Sequence, residues 1–299
     1  MDSPIIITIS GDLGSGKSTV CDIMETEYGF ERYYTGRIQR EFAREKGMDT
    51  LQLNEYAKKD PEIDRKIDGW LQTLAGLPVN TIIDSRMAWH FVPDTFRVYL
   101  TVDIREAAQR VLKDKGRGCV EQYGSVDEAV AGLQARKTSE VTRFRSMYGV
   151  DCSDLGNYDL VVDTTLLAPA EAASILLTSA QKGKQKNEGI LLFTSPRCLY
   201  PAAFDQAPDV RGCLHAAAAG EPIPIVLVDR MPYILDQAQR VSAAIAGGSR
   251  YVKCSVLARD DQPLPDGATA REYVKRHFTL EKAKAWEQAN GFEYLYYPR

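Results

Sequence analysis

Hydrophobic and polar positions in the N-terminal half form short apolar runs separated by longer amphipathic stretches. Residues 5–10, IIITIS, are almost wholly apolar and rich in β-branched side chains, which is typical of a parallel strand buried on both faces. Further apolar runs lie at 81–84, 96–102 and 159–162, with segments of helical pattern between them. Strands that alternate with helices predict βαβ units and hence a parallel sheet covered by helices.

Two helical segments stand out from this pattern. In the first, Asp60 supplies an N-cap residue and Pro61 suits the first helical position. The apolar residues that follow recur at helical spacing and predict one buried face: Ile63, Ile67, Trp70 and Leu74. The second segment, 125–147, carries many charges, most of which we interpret as a solvated helix face.

A change in composition divides the chain. Residues 181–189, QKGKQKNEG, are polar, lysine-rich and bounded by glycine, which predicts a linker. The interpretation gives one domain over 1–180 and a second, smaller one over 190–299. At about 150 residues per domain, a chain of 299 residues is long enough for both.

The charge balance excludes some classes of partner. There are 37 basic and 41 acidic residues, so the net charge is 37 − 41 = −4. Residues 184–299 contain 15 basic and 13 acidic residues, or +2. Neither part has the strongly basic character of a protein that binds nucleic acid or a membrane surface by electrostatic attraction.

The pattern of cysteines and the residues at the N-terminus predict where in the cell the protein is located. The six cysteines are dispersed without a C-x-x-C pair and the chain has three histidines, which argues against a zinc site or a disulfide framework. The N-terminus lacks a basic region followed by a long apolar run, and no segment approaches the roughly 18 apolar residues of a membrane span. We therefore expect a cytoplasmic protein.

A phosphate-binding motif follows the first strand. Residues 11–18, GDLGSGKS, satisfy G-x-x-x-x-G-K-[ST] between a predicted strand and a predicted helix. The glycines let successive N–H groups point at phosphate oxygens beside the positive end of the helix dipole. The residues predicted to hold the phosphates of a nucleoside triphosphate are Gly11, Gly14, Ser15, Gly16, Lys17, Ser18 and Thr19. Lys17 would reach the β- and γ-phosphates, and the Ser18 hydroxyl would coordinate Mg²⁺.

Several motifs downstream of this loop carry a family resemblance. They are YTGRIQRE at 34–41, KDPEIDRKID at 59–68, IIDSRMAW at 82–89, ARKTSE at 135–140 with RF at 143–144, and the segment 148–164. In this order and spacing they resemble the archaeal-type cytidylate kinase family of nucleoside monophosphate kinases. The resemblance covers about residues 4–178.

The resemblance implies a fold, a reaction and residue roles. The expected fold is a P-loop parallel sheet with a helical acceptor-binding insertion and a closing lid, and the expected reaction is ATP- and Mg²⁺-dependent phosphorylation of CMP or dCMP. Carried over by position, the acceptor-binding residues are Thr35, Gly36, Arg40 and Arg86. Asp84 would support the Mg²⁺ site through water. The cations expected to act on the transferring phosphoryl group are Lys17 of the loop and three arginines that match the region of the family's lid, Arg110, Arg136 and Arg143.

Two departures from the family pattern keep other functions open. Ser85 stands where glycine is usual, and Arg37 stands where an acidic residue is common. One alternative is therefore a P-loop kinase of another small metabolite. A second alternative is a nucleotide-gated regulatory protein with little turnover, which the fusion of two domains suggests.

The C-terminal half predicts a small α+β domain. Residues 223–258 fit two short strands, a helix beginning near Gln239, a glycine stop and a third strand. This order resembles the ParB-like domain, and its nucleotide-binding segment would place Asp236 and Arg240 at a ligand. Because the glycine and both histidines of that segment are replaced, we favour a degenerate domain retained for packing, regulation or homo-oligomer formation.

Overall fold

The computed structural model describes residues 4–48, 56, 62–113, 123–183, 190–202, 221–295 and 297. The chain divides into two compact units, Met1–Lys184 and Gln185–Arg299. The last helix of the first unit continues to Lys182, two residues into the segment interpreted as a linker. Residues 184–189 lie outside the described part.

The N-terminal unit is built on a five-stranded parallel sheet. Its strands are β1 (Ile6–Gly11), β2 (Glu31–Tyr34), β3 (Thr81–Asp84), β4 (Phe96–Thr101) and β5 (Leu160–Asp163). Within this unit the spatial order is β2-β3-β1-β4-β5, and each neighbouring pair is parallel. The central β1 is inaccessible at Ile7 and Ile9, as expected for a strand covered on both faces.

Helices follow the strands of this unit in the predicted alternation. They are α1 (Lys17–Thr26), α2 (Thr35–Glu45), α3 (Glu62–Gln72), α4 (Ala88–Phe91), α5 (Ile104–Lys113), α6 (Val126–Tyr148) and α7 (Pro169–Lys182). The parallel, helix-covered sheet predicted from the hydrophobic pattern is thereby confirmed.

Both helical segments predicted from the sequence are present, but α3 ends at Gln72, so the predicted helical residue Leu74 is buried in the turn that follows. On α3, Ile63 and Ile67 are buried against Phe42 of α2. The helix α6 begins after Ser125, whose hydroxyl accepts a hydrogen bond from the Glu128 amide. Asp60 and Pro61, the predicted start signal of α3, lie outside the described residues.

The C-terminal unit combines a mixed sheet with helices. Its elements are β6 (Ile190–Thr194), β7 (Tyr200–Pro201), β8 (Ile223–Val228), β9 (Met231–Ile234), α8 (Ala238–Ala246), β10 (Val252–Arg259), α9 (Ala270–His277) and α10 (Leu280–Asn290). The order is β6-β10-β8-β9-β7, with β6–β10 and β8–β9 antiparallel. Trp286 is fully buried, and the buried Tyr294 stacks on Tyr200 at 4.7 Å between ring centroids, so these three aromatic residues belong to the core of this unit.

In the part of the chain that the structure describes, none of the helices combines the length and apolar character needed to cross a bilayer.

Candidate active site

The turn between β1 and α1 has the backbone form that phosphate binding requires. A Cβ atom on Gly11 would lie 2.5 Å from the carbonyl oxygen of Leu100, so the loop approaches β4 more closely than any side chain permits. Gly14 and Gly16 adopt left-handed φ values of 78° and 77°. Helix α1 then begins at Lys17, which places its N-terminal N–H groups at the loop.

Gly14 supplies a test of this backbone form. Its φ is 78°, and an added Cβ would lie 2.9 Å from the Cα of Ala107. We expect Gly14→Ala to weaken ATP binding by about tenfold or more, because the strained, crowded residue forces the loop to move. Gly29→Ala is the matched control, since Gly29 also has a left-handed φ but no atom within 4 Å of its added Cβ. Titration with a fluorescent ATP analogue measures both; equal affinities in the two variants would contradict the steric argument.

The loop lysine is paired with the carboxylate that ends β3. Lys17 Nζ lies 3.0 Å from Asp84 Oδ1. Arg32 Nη2 lies 3.7 Å from the second carboxylate oxygen of this residue, Asp84 Oδ2. Arg32 was not singled out in the sequence, because its approach to Asp84 depends on the pairing of β2 with β3. The carboxylate therefore stands between two cations at the carboxyl end of the sheet.

Arg86 lies beside the loop and meets the helix α6. Its guanidinium donates to the carbonyl oxygen of Gly11, and its Nε lies 3.0 Å from Glu140 Oε2. Burial opposes ionisation of Glu140, yet Arg86 and Arg136 hold the pKa of this carboxyl below its usual range. Glu140 belongs to a motif noted in the sequence, but its pairing with Arg86 is visible only in the fold.

The three arginines assigned to a lid occupy different environments. Arg110 on α5 donates from Nη2 to the carbonyl oxygen of Thr164 at 2.7 Å and from Nε to Glu106 at 2.9 Å. Arg136 is 45% exposed and pairs with Glu140. Arg110 also donates from Nη1 to the carbonyl oxygen of Gly14 at 3.4 Å, so it lies at the phosphate-binding loop, whereas the half-exposed Arg136 contacts its own helix.

The third of these arginines contacts α3. Arg143 Nη1 lies 3.5 Å from Oδ2 of the buried Asp64 on α3. One turn further along α3, Asp68 accepts a hydrogen bond from the Tyr148 hydroxyl at 2.8 Å. Burial raises the pKa of Asp68 to about 6. These two contacts connect α6 to α3 rather than to the phosphate-binding loop.

A cavity of about 450 Å³ runs along the phosphate-binding loop. Both Lys17 and Arg86 line it, together with Arg110. An apolar part of its wall is formed by Val111, Leu167, Pro169 and Ala172. The volume is typical of a small-molecule site, and an apolar wall beside a phosphate loop suits a flat aromatic base. This wall was missed in the sequence because its residues come from α5 and from the segment around the start of α7.

The predicted acceptor residues begin at the same edge of the sheet. Tyr34 of β2 is in register with Asp84 of β3, and α2 starts at the next residue, Thr35, followed by Gly36. Arg40 lies on α2, but its side chain and that of Arg37 are outside the described part. Ser85, which departs from the family pattern, is buried, and its hydroxyl accepts a hydrogen bond from the Met87 amide at 3.3 Å.

The candidate residues of the C-terminal unit contact their own loop. Gln237 adopts a left-handed φ of 63° at the start of α8, and its backbone N–H donates a hydrogen bond to Asp236 Oδ1 at 2.6 Å. Arg240 donates to the Gln237 side chain and, at 2.7 Å, to the carbonyl oxygen of Glu221. Both predicted residues therefore take part in contacts that shape the turn before α8.

Comparisons with known proteins assign the N-terminal unit to a family. The model of the cytidylate kinase-like family matches residues 6–166. Cytidylate kinase of Pyrococcus abyssi is 35% identical over 173 residues, covering 58% of this chain and 91% of the relative. Cytidylate kinase of Ignicoccus hospitalis is 37% identical over 166 residues, covering 55% and 92%.

Among solved structures, shikimate kinase from Acinetobacter baumannii in complex with shikimate aligns with a TM-score of 0.40 and 16% identity, covering 61% of this chain and 96% of that one. The family match spans more than half of the chain and includes the loop, Asp84, Arg86 and the whole of α6. This protein therefore belongs to the cytidylate kinase-like family.

Proposed function

We propose that the N-terminal unit transfers the γ-phosphoryl group of ATP to the phosphate of CMP or dCMP, giving ADP and the nucleoside diphosphate. The observation that carries this proposal is that Lys17 and Arg86 line one cavity. A donor phosphate on the loop and an acceptor phosphate on Arg86 would then meet at a single place. The name of the curated relatives, cytidylate kinase, supports the choice of the cytosine nucleotide.

The chain's own residues would catalyse the transfer by positioning and charge neutralisation. An oxygen of the acceptor phosphate attacks in line, so no side-chain nucleophile is needed. Lys17 would hold the β- and γ-phosphates, and Arg86, with Arg40, would hold the acceptor phosphate through the two-pronged guanidinium. Arg110 lies at the loop and is suited to the charge on the transferring group, with Arg136 and Arg143 as further lid cations.

The residues at the loop fit a magnesium ion held mainly by phosphates and water. In the described ranges no three His, Cys, Asp or Glu side chains are grouped as a metal cage. Mg²⁺ prefers oxygen ligands and usually keeps several waters in addition to substrate phosphates. The exposed Ser18 hydroxyl and, through water, the Asp84 carboxylate are the oxygen donors we assign to it. The ion would supply charge neutralisation on the β- and γ-phosphates.

A panel of acceptors tests the proposed function. ADP formation from ATP and Mg²⁺ is measured with CMP, dCMP, UMP, AMP or no acceptor. We expect the highest kcat/KM with CMP or dCMP and near-background turnover in the blank. Preference for a different acceptor would favour the kinase of another small metabolite. ATP binding without turnover on any acceptor would favour the nucleotide-gated regulatory protein.

For the C-terminal unit we propose a divergent ParB-like domain that packs, regulates or forms homo-oligomers rather than binding nucleotide. The order of β8, β9, α8 and β10 supports this assignment. The engagement of Arg240 with Gln237 and Glu221 argues against a ligand role for that side chain. A cytoplasmic location stays a prediction from the sequence.

A further inference from the structure

An acidic residue lies within the phosphate-binding loop itself. Asp12 is the second residue of the motif, and its side chain is 12% exposed. Its Oδ1 accepts a hydrogen bond from the Tyr99 hydroxyl at 2.8 Å, and its Oδ2 accepts one from the Thr101 hydroxyl at 2.9 Å. Both donors belong to β4. The carboxylate is therefore fixed to the sheet.

This position creates an electrostatic conflict with the proposed ligand. Asp12 lines the cavity that contains Lys17 and the loop backbone. Two like charges a few ångströms apart repel strongly where water is partly excluded. A bare carboxylate in the loop would therefore weaken the binding of a triphosphate.

A lysine from a distant helix neutralises this carboxylate. Lys137 of α6 places its Nζ 2.8 Å from Asp12 Oδ1. Glu140 follows three residues later, on the same face of α6, and pairs with Arg86. Two oppositely charged contacts therefore fasten this face of α6 to the loop and to the arginine beside it.

We propose that Lys137 is a positioning residue for ATP, which acts through Asp12 by cancelling the negative charge that this residue brings into the phosphate-binding loop. The inference deepens the proposed function, since it rests on ATP binding at the loop, but it is independent of the acceptor. The neighbouring cation on α6, Arg136, has a different partner, Glu140, and its side chain is more exposed than that of Lys137.

A double-mutant cycle without acceptor tests this role. The Kd of ATP with Mg²⁺ is measured by calorimetry for the wild type, Lys137→Met, Asp12→Asn and the double variant. We expect Lys137→Met to raise the Kd by about tenfold or more in the wild-type background. In the Asp12→Asn background the same substitution changes the Kd by less than about twofold, because the charge that Lys137 cancels is gone. Lys137→Arg retains wild-type affinity.

Arg145→Met is the matched control, since it removes a cation of α6 that pairs with Asp151 instead of the loop. Thermal unfolding of each variant confirms that it is folded. An equal loss of affinity from Lys137→Met in both backgrounds would show that the lysine acts without Asp12 and would overturn the proposal, as would no loss in either. A folded wild type that binds no ATP would overturn the proposed function as well.

Discussion

Replacing Lys17 with alanine lowers kcat for phosphoryl transfer by about a hundredfold or more, because the β- and γ-phosphates lose their main side-chain cation. The Lys17 ammonium group lies 3.0 Å from Asp84, at the turn between β1 and α1. The variant leaves Asp84 with Arg32 as its partner, so the fold is retained. Initial rates of ADP formation at saturating acceptor measure the effect.

Lys182→Ala controls for the loss of a lysine, since Lys182 is an exposed residue in the last turn of α7. We expect it to keep wild-type kcat and the wild-type unfolding temperature. A Lys17→Ala enzyme that retains kcat within about threefold of the wild type would remove the loop lysine from the mechanism.

Replacing Arg86 with alanine lowers kcat/KM for the acceptor by about a hundredfold, because the acceptor phosphate loses a bidentate, permanently charged partner. The same change leaves the Glu140 carboxylate with Arg136 as its remaining partner among the contacts described above. Since Arg86 and Glu140 are each about a fifth exposed, we expect a loss of about 2 kcal/mol in the free energy of unfolding. Acceptor kinetics and urea unfolding measure the two effects.

Arg86→Lys separates function from stability. It keeps a positive charge opposite Glu140 but loses the guanidinium fork, so we expect near wild-type stability and about a tenfold loss in acceptor kcat/KM. Arg105→Ala is the control for a surface arginine, because Arg105 pairs with Asp127 at 3.6 Å on exposed α5 and α6 residues. If Arg86→Ala raises KM for ATP but not for the acceptor, the assignment of Arg86 to the acceptor phosphate is wrong.

The local parts of the site were predictable because each is encoded in a short stretch of chain. The motif at 11–18 lies between an apolar run and an amphipathic run, and the structure has a left-handed turn between β1 and α1 at that place. The order of strands and helices followed from hydrophobic spacing, since a buried parallel strand needs apolar side chains on both faces. Arg86 was predictable from the family resemblance of the downstream motifs.

The contacts of residues whose partners are far apart in sequence could not be predicted from local spacing, and the roles of these residues stay predictions. The resemblance groups Arg110, Arg136 and Arg143 as lid cations, and in the fold Arg110 contacts the loop, the half-exposed Arg136 pairs with Glu140, and Arg143 lies against Asp64. Their separation depends on how α5 and α6 pack, which no local spacing encodes.

By itself, the sequence determined the phosphate-binding loop, the alternation of strands and helices, and the family to which the N-terminal unit belongs. The tertiary structure decided which charges meet: Lys137 with Asp12, Glu140 with Arg86, and Lys17 with Asp84. It also decided which apolar residues line the cavity beside the loop. The physical reason is that loop conformation and strand burial arise from neighbouring residues, whereas ion pairs between residues tens of positions apart depend on the packing of whole helices against the sheet.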